Sequence, residues 1–177
     1  GRLNMMVTNR SNDIILGAYG ANAVHFSYLQ EYMAHRVGRP SGQYWQVSNN
    51  FHAYVKDLEK VQVLADYVRL TNPYEQLVHI PLINGTPADE WDEQLSTFLN
   101  NGDDALPGMD LFFRKVADPL LTAHKIFKSS KAINRFKDVF LMLGEVKDHA
   151  WRLACYDWMT RRREREARAA DDGVSHE

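Results

Sequence analysis

The chain has 177 residues, a formal net charge of −2, 45 % hydrophobic and 25 % charged residues, a balance that excludes wholesale disorder and fibrous repeats and suits one ordinary globular domain. Its single cysteine excludes an internal disulfide and a cysteine-based zinc site, and fits a reducing, cytoplasmic setting. No apolar run approaches the roughly 20 residues of a membrane-spanning helix, and the near-neutral charge leaves no basic footprint for nucleic acid.

In chain order, Gly1-Arg2-Leu3 opens without an initiator Met and reads like the second arm of a β-hairpin entered midway, as in a fragment or a chain with residues upstream. Leu3 to Thr8 predicts a strand that runs into a polar loop, Asn9-Arg10-Ser11-Asn12-Asp13. From Ala21 to about Val37, Val24, Tyr28, Leu29, Tyr32 and Met33 recur at helical spacing and predict a helix with one buried face, ended by Gly38 and Pro40. Gln43 to Tyr54 is rich in Tyr, Trp, Val and Phe and predicts a strand. Val55 to Val68 predicts a helix, Thr71-Asn72-Pro73 breaks it, and Leu77 to Ile83 is a short strand candidate that Pro81 places at an edge.

Thr86, Pro87, Asp89 and Glu90 form a strong helix start, with Thr86 as N-cap and Pro87 at the first helical position. That helix is expected to turn Trp91, Leu95, Phe98 and Leu99 inward and to stop near Asn100-Asn101-Gly102. Met109–Lys128, Ala132–Leu143 and Asp148–Ala170 are all helical in pattern. The fold class is therefore α+β, with a mixed region over residues 1–84 and a mainly helical region over 85–177 packed on the same domain.

Two clusters carry chemistry. Arg10 beside Ser11 offers a guanidinium fork and a hydroxyl, which suit a phosphate, and the helix entry after them favours an anion. The plain alternative is a solvated turn. His52 and Tyr54 are two apart in a strand, so they share a face and can grip one hydroxyl, or serve as a satisfied core histidine beside an ordinary strand tyrosine. His25, His35, His79, His124 and His149 lack paired ligand spacing, so no metal is expected. Cys155, in an amphipathic helix, reads as a buried structural thiol. The Arg161–Glu166 run reads as a solvated helix end, with a phosphate or a partner subunit as the alternative contact.

Taken in order, Arg10-Ser11-Asn12-Asp13, Gly17, Asn22 and Phe51-His52-Ala53-Tyr54 resemble the nucleotide-binding half of the thymidylate synthase and pyrimidine hydroxymethylase family. That family reads Gln-Arg-Ser-x-Asp, a Gly four residues later, an Asn in Pro-Phe-Asn-Ile-Ala, and Asp-x-His-x-Tyr. The resemblance covers roughly Gly1 to Val61. Asn9 stands in place of the Gln, Asn50 in place of the Asp, and Tyr19-Gly20-Ala21-Asn22 in place of Pro-Phe-Asn with one extra residue.

The resemblance implies a large mixed sheet of thymidylate synthase type, a homodimer, and methylenetetrahydrofolate as cofactor. It implies that Arg10 and Ser11 bind a nucleotide 5′-phosphate, that Asn22 reads the pyrimidine edge, and that His52 and Tyr54 hold the ribose 3′-hydroxyl. It assigns Asp13 and Gly17 to the cofactor side. A carboxamide at Asn22 offers a donor and an acceptor, which matches uracil O4 and N3–H and favours dUMP. The family's nucleophilic cysteine lies in a Pro-Cys-His segment before the Arg-Ser motif, so it is expected upstream of Gly1. The activity implied first is methylation of dUMP at C5; hydroxymethylation of dUMP or dCMP, and a catalytically silent nucleotide-binding relative, are the alternatives.

Overall fold

The computed structural model describes residues 1–58, 77–101 and 107–174. The chain divides into two compact units, Gly1–Asn72 and Pro73–Glu177. Among the described residues, no helix is long and apolar enough to cross a membrane.

The first unit is a strand–helix–strand arrangement. Strand β1 (Leu3–Asp13) and strand β2 (Ser41–His52) run parallel, in a register that sets Met5 against Tyr44, Asn9 against Ser48 and Asp13 against His52. Parallel neighbours need a crossover, which helix α1 (Asn22–Arg36) supplies. Among the described residues the sheet has these two strands, a smaller one than the large mixed sheet that the family resemblance implies. The predicted end of β1 at Thr8 also needs correction. Asn9, Ser11, Asn12 and Asp13 stay in the ladder, because pairing with β2 satisfies their backbone and overrides the turn preference of their side chains.

A wide helical turn, Ile14–Ala21, joins β1 to α1 and is capped by Asp13, whose Oδ1 accepts from Ile15 N–H at 3.0 Å and Leu16 N–H at 2.6 Å. The predicted helix is present, but its buried face differs from the apolar stripe. Gln30 and Ala34 are buried, whereas Val24, Leu29 and Met33 are exposed. The reason lies in Gln30, whose Nε2 donates to the carbonyls of Leu3 (2.8 Å) and Gln43 (3.1 Å) and so fastens the helix to the entry of both strands. The helix predicted from Val55 begins there, and its remainder after residue 58 lies outside the described residues, as do Thr71, Asn72 and Pro73.

The second unit is helical. Helix α2 (Ala88–Asn101), a wide turn (Phe113–Ala117) leading into α3 (Asp118–Ser129), α4 (Arg135–Gly144) and α5 (His149–Val174) follow the predicted periodicity. The core joins Ala123, Phe136, Val139, Leu143, Val146 and Met159. Trp91 and Phe98 turn inward onto Phe113, with ring centroids 5.2 and 5.4 Å apart, while Leu99 is exposed, against expectation.

The Leu77–Ile83 segment is not a strand. Ile80 N–H donates to Asp148 Oδ2 at 2.7 Å, and Val78 C=O accepts from His149 N–H at 3.0 Å, so its backbone is satisfied by the start of α5 rather than by a ladder. Thr86 lies one residue before the cap position: α2 starts at Ala88, and the Thr86 hydroxyl donates to Asp110 at 2.7 Å.

Candidate functional site

Ligands of parallel sheets collect at the carboxyl ends of the strands. Here those ends carry Arg10, Ser11, Asn12 and Asp13 on β1 and Asn50, Phe51 and His52 on β2. Because the register pairs Ser11 with Asn50 and Asp13 with His52, the two motifs that are some forty residues apart in sequence become neighbours. Ser11 Oγ lies 3.5 Å from His52 Nδ1. Tyr54 falls just beyond the end of β2 rather than within it, yet its ring meets the His52 ring edge to face, centroids 5.4 Å apart at 89°. Arg10 is exposed, and among the described residues its guanidinium has no hydrogen bond or ion pair, so its donors are available to an anion.

Asp13 divides its carboxylate. Oδ1 caps the turn after it, and Oδ2 is buried without a hydrogen-bond partner. A buried, unpaired carboxylate oxygen is costly unless a donor arrives.

The sequence motifs did not point to the polar cluster behind these residues. Asn12 is 2 % exposed; its Nδ2 donates to Gln46 Oε1 (2.9 Å) and Ser48 Oγ (3.2 Å), and its Oδ1 accepts from Asn22 Nδ2 (3.1 Å). Gln46 Nε2 in turn donates to the Ala18 carbonyl at 3.1 Å. Asn22 is thus held at the end of β1 through an internal partner. Gly17 lies against the same bond: a Cβ there would stand 2.2 Å from Asn12 Oδ1 and 3.3 Å from Asn22 Nδ2. The one signal for this cluster was the even spacing of Gln46, Ser48 and His52 along β2, which puts all three on one face of the strand.

Beside the cluster lies an open cavity of about 530 Å³, lined among others by Tyr19, Tyr44, Gln46, Ser48 and Phe51. The Tyr44 hydroxyl is buried there without a hydrogen-bond partner, and burial raises its pKa. Cys155 belongs to the helical unit. It packs against the core cluster, and burial pushes its thiol pKa up, which disfavours the thiolate.

Residues 1–82 match the thymidylate synthase family. The chain is 47 % identical to the deoxyuridylate hydroxymethyltransferase of Pseudomonas phage M6, an alignment that takes in all of this chain and 54 % of that protein. It is 42 % identical to the deoxyuridylate hydroxymethyltransferase of Bacillus phage SP01 over 57 residues, 32 % of this chain and 15 % of that protein. The chain therefore spans about half the length of the phage M6 relative. No solved structure gives a significant match. The ordered motifs, the strand-end geometry that gathers them and the family match agree: over residues 1–82, the chain is similar to the thymidylate synthase family.

Proposed function

We propose that this chain is the nucleotide-binding part of a deoxyuridylate hydroxymethyltransferase, which places a hydroxymethyl group on C5 of dUMP. The observation that carries the reading is the 47 % identity, running through the whole chain, to the phage M6 protein of that name. The motif residues serve methylation and hydroxymethylation alike, so they do not separate the two; methylation has the family match in its favour, and hydroxymethylation has both phage relatives.

In this reading the unpaired guanidinium of Arg10 and the Ser11 hydroxyl take the 5′-phosphate. His52, within reach of Ser11 and steadied by the Tyr54 ring, takes the ribose 3′-hydroxyl together with Tyr54. Asn22 keeps its Oδ1 and one Nδ2 hydrogen for the base.

Methylenetetrahydrofolate fits the remaining polar feature, because the buried unpaired Oδ2 of Asp13 is an acceptor suited to the N–H groups of a pterin, with Gly17 close by on the next turn. When bound, it supplies the one-carbon unit at the oxidation level of formaldehyde. Asp13 would hold that group in place while its Oδ1 keeps the turn closed. Cys155 does not suit the role of the thiolate that adds to C6, since burial raises its pKa within the helical core.

The test is to incubate the full-length protein that contains this chain with dUMP and methylenetetrahydrofolate and weigh the nucleotide. A gain of a formaldehyde unit supports hydroxymethylation, and a gain of a methylene unit replaces it with methylation. An unchanged nucleotide that nevertheless binds in a calorimeter reduces the chain to a silent nucleotide binder.

A further inference from the structure

The amide cluster behind Asn22 has a direction. Its origin is the Ala18 carbonyl, which can only accept, so Gln46 must turn Nε2 toward it and Oε1 away. Oε1 then accepts from Asn12 Nδ2, and the same Nδ2 donates its second hydrogen to Ser48 Oγ. With both hydrogens committed, Asn12 presents Oδ1 to Asn22, which answers with Nδ2. Carboxamide orientations are set by their hydrogen-bond networks, and this network starts from a backbone atom that cannot flip. Asn12 is 2 % exposed, so flipping its carboxamide would set its Oδ1 against Gln46 Oε1 and its Nδ2 against Asn22 Nδ2 in a buried position.

We propose that Gln46, Asn12 and Ser48 are positioning residues that lock the Asn22 carboxamide in one of its two orientations and thereby make the site select uracil over cytosine. The inference rests on the reading that Asn22 faces the base. A freely turning carboxamide can satisfy either base: uracil presents an acceptor at position 4 and a donor at N3, cytosine a donor at position 4 and an acceptor at N3. One flip exchanges the two patterns, and the relay forbids the flip. Gly17 belongs to the same device, since only a residue without a Cβ leaves space for the Asn12–Asn22 bond.

The experiment measures calorimetric affinities of the 177-residue chain for dUMP and dCMP in the wild type and in Gln46→Leu, alongside the Asn22 side-chain amide pair in a ¹⁵N–¹H spectrum. The relay predicts that Gln46→Leu shrinks the dUMP-to-dCMP preference by roughly tenfold, the weight of about one hydrogen bond, and shifts the Asn22 amide signals. General damage to the fold would weaken both nucleotides alike and leave the ratio intact. If Gln46→Leu does not fold, Ser48→Ala removes only one acceptor from Asn12 and should move the ratio and the signals in the same direction by less.

An unchanged ratio overturns the assignment of selectivity to the relay. If the wild type binds neither nucleotide, the dUMP reading falls. The Asn22 signals then decide the relay by themselves: if they are unmoved by the variant, it is overturned, and if they shift, the lock stands without the ligand.

Discussion

Gly17 and Asn12 compete for one volume: a Cβ on Gly17 would stand 2.2 Å from Asn12 Oδ1. The carboxamide has little freedom to withdraw, because it is buried and tied to Gln46, Ser48 and Asn22. Gly17→Ala must therefore break part of that network or shift the turn after β1. A loss of about 1–3 kcal/mol is expected, in the range for overpacked sites, read from the urea unfolding midpoint. An unchanged midpoint would show that the cluster yields more easily than its hydrogen bonds suggest.

Arg10 is the opposite kind of residue, exposed on its strand and unpaired among the described residues. Arg10→Ala should leave the thermal melt where it was and weaken dUMP binding by about 2 kcal/mol or more, the weight of a charge-assisted contact. Equal calorimetric affinity in the two proteins would remove Arg10 from the phosphate role.

Asp110 gives the helical unit a predicted acid response. Burial acts to raise its pKa, but the Phe112 N–H, the Thr86 hydroxyl, and the Asn84 side chain and backbone N–H all donate to the carboxylate and together leave it below the ordinary value. A carboxylate depressed in the folded state stabilises above its unfolded pKa of about 3.9, and that contribution disappears as the pH falls through the folded value. Asp110→Asn should therefore be less stable than wild type near neutral pH, with the gap in unfolding free energy closing below about pH 4. A gap independent of pH would mean that the charge contributes nothing.

Phe136 is 1 % exposed, with the Arg135 guanidinium 4.7 Å from its ring centroid and Phe127 5.9 Å away, whereas Leu99 is 73 % exposed. Phe136→Ala should cost about 3–5 kcal/mol by leaving a cavity. Leu99→Ala should stay within about 0.5 kcal/mol of wild type. Comparable losses in denaturant unfolding would contradict the helix face assigned to α2.

The helices of the second half were legible because their signal is local: apolar residues recur at the period of the helix, and α3, α4 and α5 bury theirs in the Phe136 core. Two departures were not legible. Leu99 follows the period of α2 but falls outside the face that Trp91 and Phe98 turn to Phe113. The Leu77–Ile83 segment looks like a strand by composition, but its backbone partner is the Asp148 carboxylate, 68 residues from Ile80, which no local pattern announces.

For the site, the sequence by itself determined which residue types were present and in what order: Arg10, Ser11, Asp13, Gly17, His52 and Tyr54 follow the family's spacing, with Asn22 one residue further on, and spacing along a strand or a turn is a local property. Only the tertiary structure decided that Ser11 meets His52, that β1 continues through its polar residues, and that Asn22 hangs from Asn12 and Gln46. These depend on the parallel register of two strands whose partners lie 38 or 39 positions apart. Register is set by backbone pairing and by how α1 is fastened through Gln30, and neither is written in the periodicity of the strands.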